Sequence, residues 1–240
     1  MKISSLQENL KVGLSVVSHI AGKNVNLPIL NNVLIEAKEG NIKMITTDLE
    51  IGVVCMVRGK IEKEGSFTVE SKIISDYIAL LPNQKVDIEL KDKKLNIKSD
   101  NYKTIIRGQD ADEFPLIPKI ERKYFFKAKI EEFKTSLAQV IFAVSTSETR
   151  IELSGVLLNF IKEELTMVAT DSYRLAEKSL KINSNSEKEI QIIVPAKTLQ
   201  ELLRIISAVK QEDVRDASGE IVFYVSDNQI MFVIGTTELI

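Results

Sequence analysis

Histidine, cysteine, paired carboxylates and glycine-flanked lysine are the usual material of hydrolytic, redox, metal and phosphate chemistry. This chain of 240 residues holds one His and one Cys. A single histidine, His19, excludes a His-rich zinc site and leaves any Ser-His or Cys-His pair dependent on one residue at the polar end of a helix, where a solvated imidazole is the ordinary outcome. Cys55 lies in the apolar run Ile51 to Val57, can form no intrachain disulfide and reads as a small buried side chain. Gly22-Lys23 lacks the upstream glycine and the following Ser or Thr of a phosphate-binding loop, and no G-x-G-x-x-G occurs. Carboxylates are plentiful, but Glu131-Glu132 and Glu163-Glu164 fall on solvated faces and turns. The 34 acidic residues offer many acid/base pairings in space, and nothing in the sequence selects one.

The composition is that of an ordinary globular protein, with 44% apolar and 28% charged residues and no Trp and a mean hydropathy of +0.01. It excludes disorder, collagen and a membrane helix, because charge-free stretches such as Val12 to Ala21 fall short of the roughly 18 apolar residues a span needs. Met1-Lys2 leads into a polar start without a signal segment, so a cytoplasmic location is expected. The balance of 32 basic against 34 acidic residues argues against non-specific nucleic-acid coating but permits basic groups gathered on one face. Of those 32, 25 are Lys and 7 Arg, which favours diffuse electrostatic contact over bidentate readout.

The elements that would position any site occur twice. Leu6, Leu10, Leu14 and Val17, spaced 4, 4 and 3, predict an amphipathic helix with Ser5 and Glu8 as its capping box. A hairpin follows over Asn32 to Ala37 and Ile42 to Thr47, then a strand at Phe67 to Val69 and a helix over Ser71 to Leu81 that Pro82 stops. Three strands, Val86 to Leu90, Leu95 to Lys98 and Lys103 to Arg107, complete the first copy. Phe133, Leu137, Ile141 and Val144 repeat the first stripe at a displacement of 127. Val33-Leu34 and Thr47-Asp48 return at 123 as Val156-Leu157 and Thr170-Asp171, which implies a loop four residues shorter in the second copy. Val69 and Lys72 return at 125 as Val194 and Lys197, with Pro195 read as an N1 proline. Asp92 and Leu95 return at 135 on a hairpin over Ile221 to Val225 and Ile230 to Ile234. A linker near Phe114 to Arg122 joins the copies, and the second is expected to stop in mid-module, as a fragment of a longer protein would.

Five strings stand out against this frame: Leu27-Pro28-Ile29-Leu30, Thr47-Asp48-Leu49-Glu50, the run from Phe142 to Arg150, the run from Ala169 to Ala176, and Val194-Pro195-Ala196-Lys197. Together and in order they resemble the bacterial DNA polymerase III beta subunits, the replicative sliding clamps, across the whole chain. The resemblance implies an α+β fold of tandem DNA clamp repeats, two helices packed on antiparallel sheet per domain. Residues 1–118 would form the first domain, residues 119–240 a second that is incomplete at its C-terminal end, and the third would be absent. It further implies a processivity factor, not an enzyme, without cofactor or metal, which closes at full length as a homodimer ring around duplex DNA. Short linear motifs would tether the replicative polymerase, the clamp loader and repair proteins to it, with no membrane involved.

Carried over by motif, the duplex-facing residues would be Lys23, Asn24, Lys72, Arg150 and Lys197; the family commonly has Arg where Asn24 stands, and Lys23 substitutes for it. For each cation alone a solvated surface role is an equal alternative. The partner-peptide cleft would be walled by Leu153, Thr170, Ser172, Tyr173, Arg174 and Leu175, although Leu153 and Leu175 also fit a plain core role. An aromatic beside a cation, as in Tyr173-Arg174, is a composition typical of binding hot spots. The strand near Thr104 to Arg107 is expected to present an open edge with Ile106 seeking a partner. The rival is a small-molecule enzyme with a duplicated α+β fold and a carboxylate site at the domain junction, which would show converging, perturbed titratable groups in a deep cleft.

Overall fold

The computed structural model describes residues 1–22, 26–118, 120–147, 149–186, 188–208, 219–226 and 228–240. They form two compact units, Met1–Pro118 together with Thr236–Ile240, and Lys119–Gly235. The first unit runs β1 (Lys2–Leu6), α1 (Gln7–Val17), β2 (Asn32–Lys38), β3 (Asn41–Thr47), β4 (Gly52–Val57), β5 (Lys60–Lys63), β6 (Gly65–Glu70), α2 (Ser71–Leu80), β7 (Lys85–Lys91), β8 (Lys94–Ser99) and β9 (Tyr102–Gln109). The second runs β10 (Phe125–Lys129), α3 (Ile130–Ala138), β11 (Gly155–Ile161), β12 (Glu164–Thr170), β13 (Leu175–Lys181), β14 (Asn183–Ser184), β15 (Ile190–Pro195), α4 (Ala196–Ala208), β16 (Glu220–Val225) and β17 (Ile230–Ile234). Among the described residues no helix is long and apolar enough to cross a membrane.

All strand pairs of the first unit are antiparallel, in the order β4-β3-β2-β6-β9-β8-β7-β1-β5. Strand β9 unites two sheets, since Tyr102 to Arg107 pair with β8 and Gly108 and Gln109 pair with β6. A last strand, β18 (Thr237–Leu239), lies antiparallel on β4 and belongs to this unit by its contacts. The second unit has two four-stranded sheets, β14-β10-β16-β17 and β13-β12-β11-β15. In the first unit the helices α1 and α2 touch through the Ser18 and Ser75 hydroxyls, 2.6 Å apart. Helix α1 also lies close on the sheet: a Cβ at Gly13 would come within 2.5 Å of Val57 Cγ2, so only glycine fits there. Ser136 holds the equivalent place in α3 and is buried.

The structure corrects the register of the repeat. Strands β1 and β10 precede the first helix of each unit, and from Lys2 and Phe125 through Thr47 and Thr170 a single displacement of 123 holds. Leu10, Leu14 and Val17 therefore match Phe133, Leu137 and Val140, all buried, while Ile141 and Val144 lie beyond the end of α3. The expected 127 and the shortened loop are one helical turn in error, because a stripe spaced 4, 4 and 3 fits itself when slid by a turn. Ser5 is not a cap: it lies in β1, and its hydroxyl donates to the carbonyl of Arg58. Pro195 ends β15, and α4 starts one residue later. Ile106 faces the core opposite Leu95, and its neighbour Ile105 is the exposed one, as strand alternation requires.

Equivalent core positions carry different side chains. The second unit packs five phenylalanines: Phe126 against Phe160 at 4.4 Å between ring centroids, and Phe223 edge-on to Phe133, Phe160 and Phe232 at 5.1, 5.7 and 5.6 Å. The matching residues of the first unit are Ile3, Leu10, Ala37, Ile88 and Ile97, all buried. Since Phe223 touches three other rings, Phe223→Ala is expected to lower the stability of the second unit by ~3–5 kcal/mol. Urea unfolding followed by circular dichroism should show an early transition for that unit and an unshifted one for the first; a single unshifted transition would deny Phe223 its central place.

Candidate partner cleft and duplex-facing residues

The dipeptide found twice in the sequence builds the same turn twice. In the first unit, Thr47 Oγ1 donates to the Ile51 carbonyl (2.9 Å) and accepts from the Leu49 amide (3.0 Å). The Asp48 carboxylate accepts from the amides of Glu50 and Ile51 at 3.1 and 2.8 Å. In the second, Thr170 Oγ1 donates to the Arg174 carbonyl (2.7 Å) and accepts from the Ser172 amide (3.1 Å). Asp171 accepts from the amides of Tyr173 and Arg174, both at 3.0 Å. Leu49 and Ser172 both hold the left-handed backbone at φ 78°. The side chains of Thr and Asp thus supply hydrogen bonds that the backbone of a four-residue connection cannot make with itself.

The second turn is anchored further. Arg174 Nε donates to Asp171 Oδ2 at 2.9 Å, and its Nη2 donates to the Phe142 carbonyl at 3.0 Å. Its guanidinium carbon stands 5.5 Å from the centre of the Phe142 ring. The Arg174 and Tyr173 amides, followed by the Arg174 guanidinium, hold the Asp171 carboxyl below its ordinary 3.8. The anchored turn leaves Tyr173 98% exposed and Leu175 66% exposed, with Phe142 at 58% beside them. Leu175 opens β13 opposite Thr170, on the edge of its sheet. The matching edge in the first unit is covered: Gly52, at the place of Leu175, exchanges two backbone bonds of 2.8 Å with Ile240. Among the described residues no strand lies on the side of Leu175 away from β12.

Of the expected cleft residues, Thr170, Ser172, Tyr173, Arg174 and Leu175 share this turn, and Leu153 is half-buried in the segment before β11. Arg150 joins them, since its Nη1 donates to Ser172 Oγ at 3.3 Å. It does not stand at a helix start as Lys72 and Lys197 do. Those two are the second residues of α2 and α4, and both are exposed. A cation in the first turn opposes the helix dipole, so two at equivalent places are not a helix-stabilising choice. Lys23 and Asn24 lie outside the described residues. Phe142, Asp171 and Ile151, the last strongly exposed, are site residues that sequence reasoning did not single out. The duplicated Thr-Asp dipeptide was the available signal for Asp171.

The titrations displaced elsewhere are those of the Met1 amine, Lys2, Glu62, Lys93 and Cys55. Lys2 with Glu62 and Lys93 with Asp110 are surface ion pairs, each at 2.6 Å, and burial pushes the Cys55 thiol up. Among the described residues no group of three metal-ligating side chains occurs.

Comparison with known proteins identifies the fold. Residues 1–118 match the profile of the DNA polymerase III beta subunit N-terminal domain, and residues 127–240 that of its central domain. The beta sliding clamp of Staphylococcus epidermidis is 31% identical over 223 residues, 89% of this chain and 57% of that protein. Solved structures superpose closely: a DNA polymerase III beta subunit from Eubacterium rectale has a TM-score of 0.91 at 28% identity. A Pseudomonas aeruginosa clamp bound to griselimycin has 0.88 at 26%. Both comparisons cover all of this chain and 63% of the other. The chain thus spans less than two thirds of the length of these relatives. With its repeated α+β units and both profiles matched in order, the chain belongs to the DNA polymerase III beta subunit family.

Proposed function

We propose that this chain supplies the first two domains of a processivity clamp, a non-catalytic ring that encircles duplex DNA in the cytoplasm and tethers the polymerase and other motif-bearing partners. By sequence, residues 1–118 are the first domain and residues 119–240 the second, the final five residues packing with the first compact unit. Tethering by topology raises the local concentration of an enzyme at the primer end without any chemistry of its own. The observation that carries this reading is the Arg174-anchored turn, which holds Tyr173 and Leu175 in solvent next to Phe142 and the uncovered edge of β13. Large apolar groups held rigid in water are what a short linear motif buries on docking. The paired Lys72 and Lys197 support sequence-independent contact with phosphates. No observation favours the enzyme reading.

Titration of a labelled Gln-Leu-x-Leu-Phe type peptide tests the cleft. Leu175→Asp places an unpaired carboxylate against the ligand, and Arg174→Ala releases the turn from Phe142; each should weaken binding at least tenfold. Equal affinities in wild type and both variants would move the site elsewhere.

The lining is tested by salt dependence on duplex DNA. Replacing Lys72 and Lys197 by Ala should weaken binding equally for all sequences and lower the salt slope by roughly 0.9 per lost contact. An unchanged slope would assign both to the outer surface.

Because the folded Asp171 carboxyl titrates below 3.8, its hold on the turn is fully present above that pH and is lost as pH falls through the lower folded value. The Tyr173 and Arg174 amide resonances should stay in place down to about that pH and shift only below it. A shift centred above 3.8 would contradict the two amide bonds.

A further inference from the structure

The outer face of the sheet β14-β10-β16-β17 carries aromatic rings and cations that neither the cleft nor the lining uses. Along β10, Phe126 and Ala128 point into the core while Phe125 and Lys127 point away from it. Phe125 pairs with Tyr224 on β16, so the two half-buried residues are neighbours on the face away from the core. Tyr124 stands one residue ahead of β10. Each ring has a cation over it: Lys127 Nζ lies 5.1 Å from the Phe125 centre, and Arg122 Cζ lies 5.6 Å from that of Tyr224. Lys123 and Lys188 lie 5.3 and 5.4 Å from the centre of Tyr124. Among the described residues Lys123, Lys127 and Lys188 have no carboxylate partner, in a chain whose net charge is −2.

This platform is also held in place. Asn185 Oδ1 accepts from the Phe125 amide at 2.8 Å and its Nδ2 donates to the Lys123 carbonyl at 3.1 Å, so one side chain grips the backbone on both sides of Tyr124. Rings fixed by backbone contacts lose little freedom when a ligand stacks on them.

We propose that this patch is a second nucleic-acid site, which takes a single-stranded segment. Bases stack on Tyr124, Phe125 and Tyr224, and phosphates are met by Arg122 and the three lysines. A duplex keeps its base faces inside its own stack, so only unpaired bases can use such rings. An acidic peptide would need the cations and leave the rings idle. The lysines cover the rings in the free protein, but an exposed cation–π contact is weaker than base stacking on the same ring, so they swing aside to the phosphates. The site is independent of the proposed duplex contacts at Lys72 and Lys197.

The test uses the 240-residue chain and a fluorescein-labelled oligothymidylate, read by anisotropy at low salt. With no Trp and only five Tyr in the chain, quenching of tyrosine emission reports stacking directly. Lys123→Gln, Lys127→Gln and Lys188→Gln together should lower affinity at least tenfold and reduce the salt slope by about 2, at roughly 0.7 per contact on a single strand. Tyr124→Leu, with or without Tyr224→Leu, should lower affinity about tenfold and leave the slope unchanged. Should the Tyr224 variant fail to fold, Tyr124→Leu and the lysine triple carry the test alone. Lys72→Ala with Lys197→Ala should leave single-strand affinity unaltered. Wild-type binding in the patch variants, or loss of binding only in the Lys72 and Lys197 variant, would overturn the proposal. So would silent aromatic variants combined with equal competition by a polyglutamate of matched charge, which would assign the patch to acidic protein segments.

Discussion

Among the described residues every strand pair is antiparallel, and most strands divide their side chains between a dry face and a wetter one, β4 and β17 being buried on both. That alternation fixes the register, because a slip of one residue would carry the whole apolar set of a strand into water. In β8, Leu95 and Ile97 are buried while Lys94, Asn96 and Lys98 are not. In β10 the same rule buries Phe126 and leaves Phe125 outside. The wet faces carry little of the folding energy and are therefore free to hold charge and aromatic groups for other purposes.

The duplicated unit shows how little a fold asks of individual core residues. Ala37 in one unit and Phe160 in the other occupy the same place on the same strand, and both are fully buried. What the two copies share is pattern, volume summed over the layer, and the turns between strands; the identity of each side chain is adjusted locally. The Thr-Asp turn is less negotiable. Its side chains satisfy backbone groups at fixed positions, and it persists with the same hydrogen bonds in both copies even though the residues it presents differ completely.

Much of this was legible in the sequence. The hairpins, the second helix of each unit and the Thr-Asp repeat follow from alternation, stops and identical dipeptides. The apolar stripe of the first helix in the second unit matches that of the first unit equally well one turn out of register, because periodicity carries no origin, and the short strand that sets the origin, Lys2–Leu6 or Phe125–Lys129, has too few residues to declare itself. Ser5 has the chemistry of a helix cap, yet its hydroxyl is claimed by a carbonyl 53 residues away, a partner no local rule can name. Arg150 was assigned by motif to the duplex, and its hydrogen bond to Ser172 depends on the approach of two loops that sequence spacing does not encode.

Strand β18 lies on β4, and its Thr237 hydroxyl reaches the Cys55 sulfur across 182 residues of sequence. Loop closure of that length adds only slowly to the equilibrium cost, since the entropy grows with the logarithm of the separation. Its weight falls on the order of events. On a growing chain, Val53, Val54 and Cys55 emerge well before Thr237 to Leu239 and hold an open strand edge until those residues follow. An apolar edge left waiting is where chains stick to one another. The apolar edge of β4 therefore stays unguarded while the 182 residues between Cys55 and Thr237 are made, and the pace of translation, more than the stability of the finished fold, sets how long that exposure lasts.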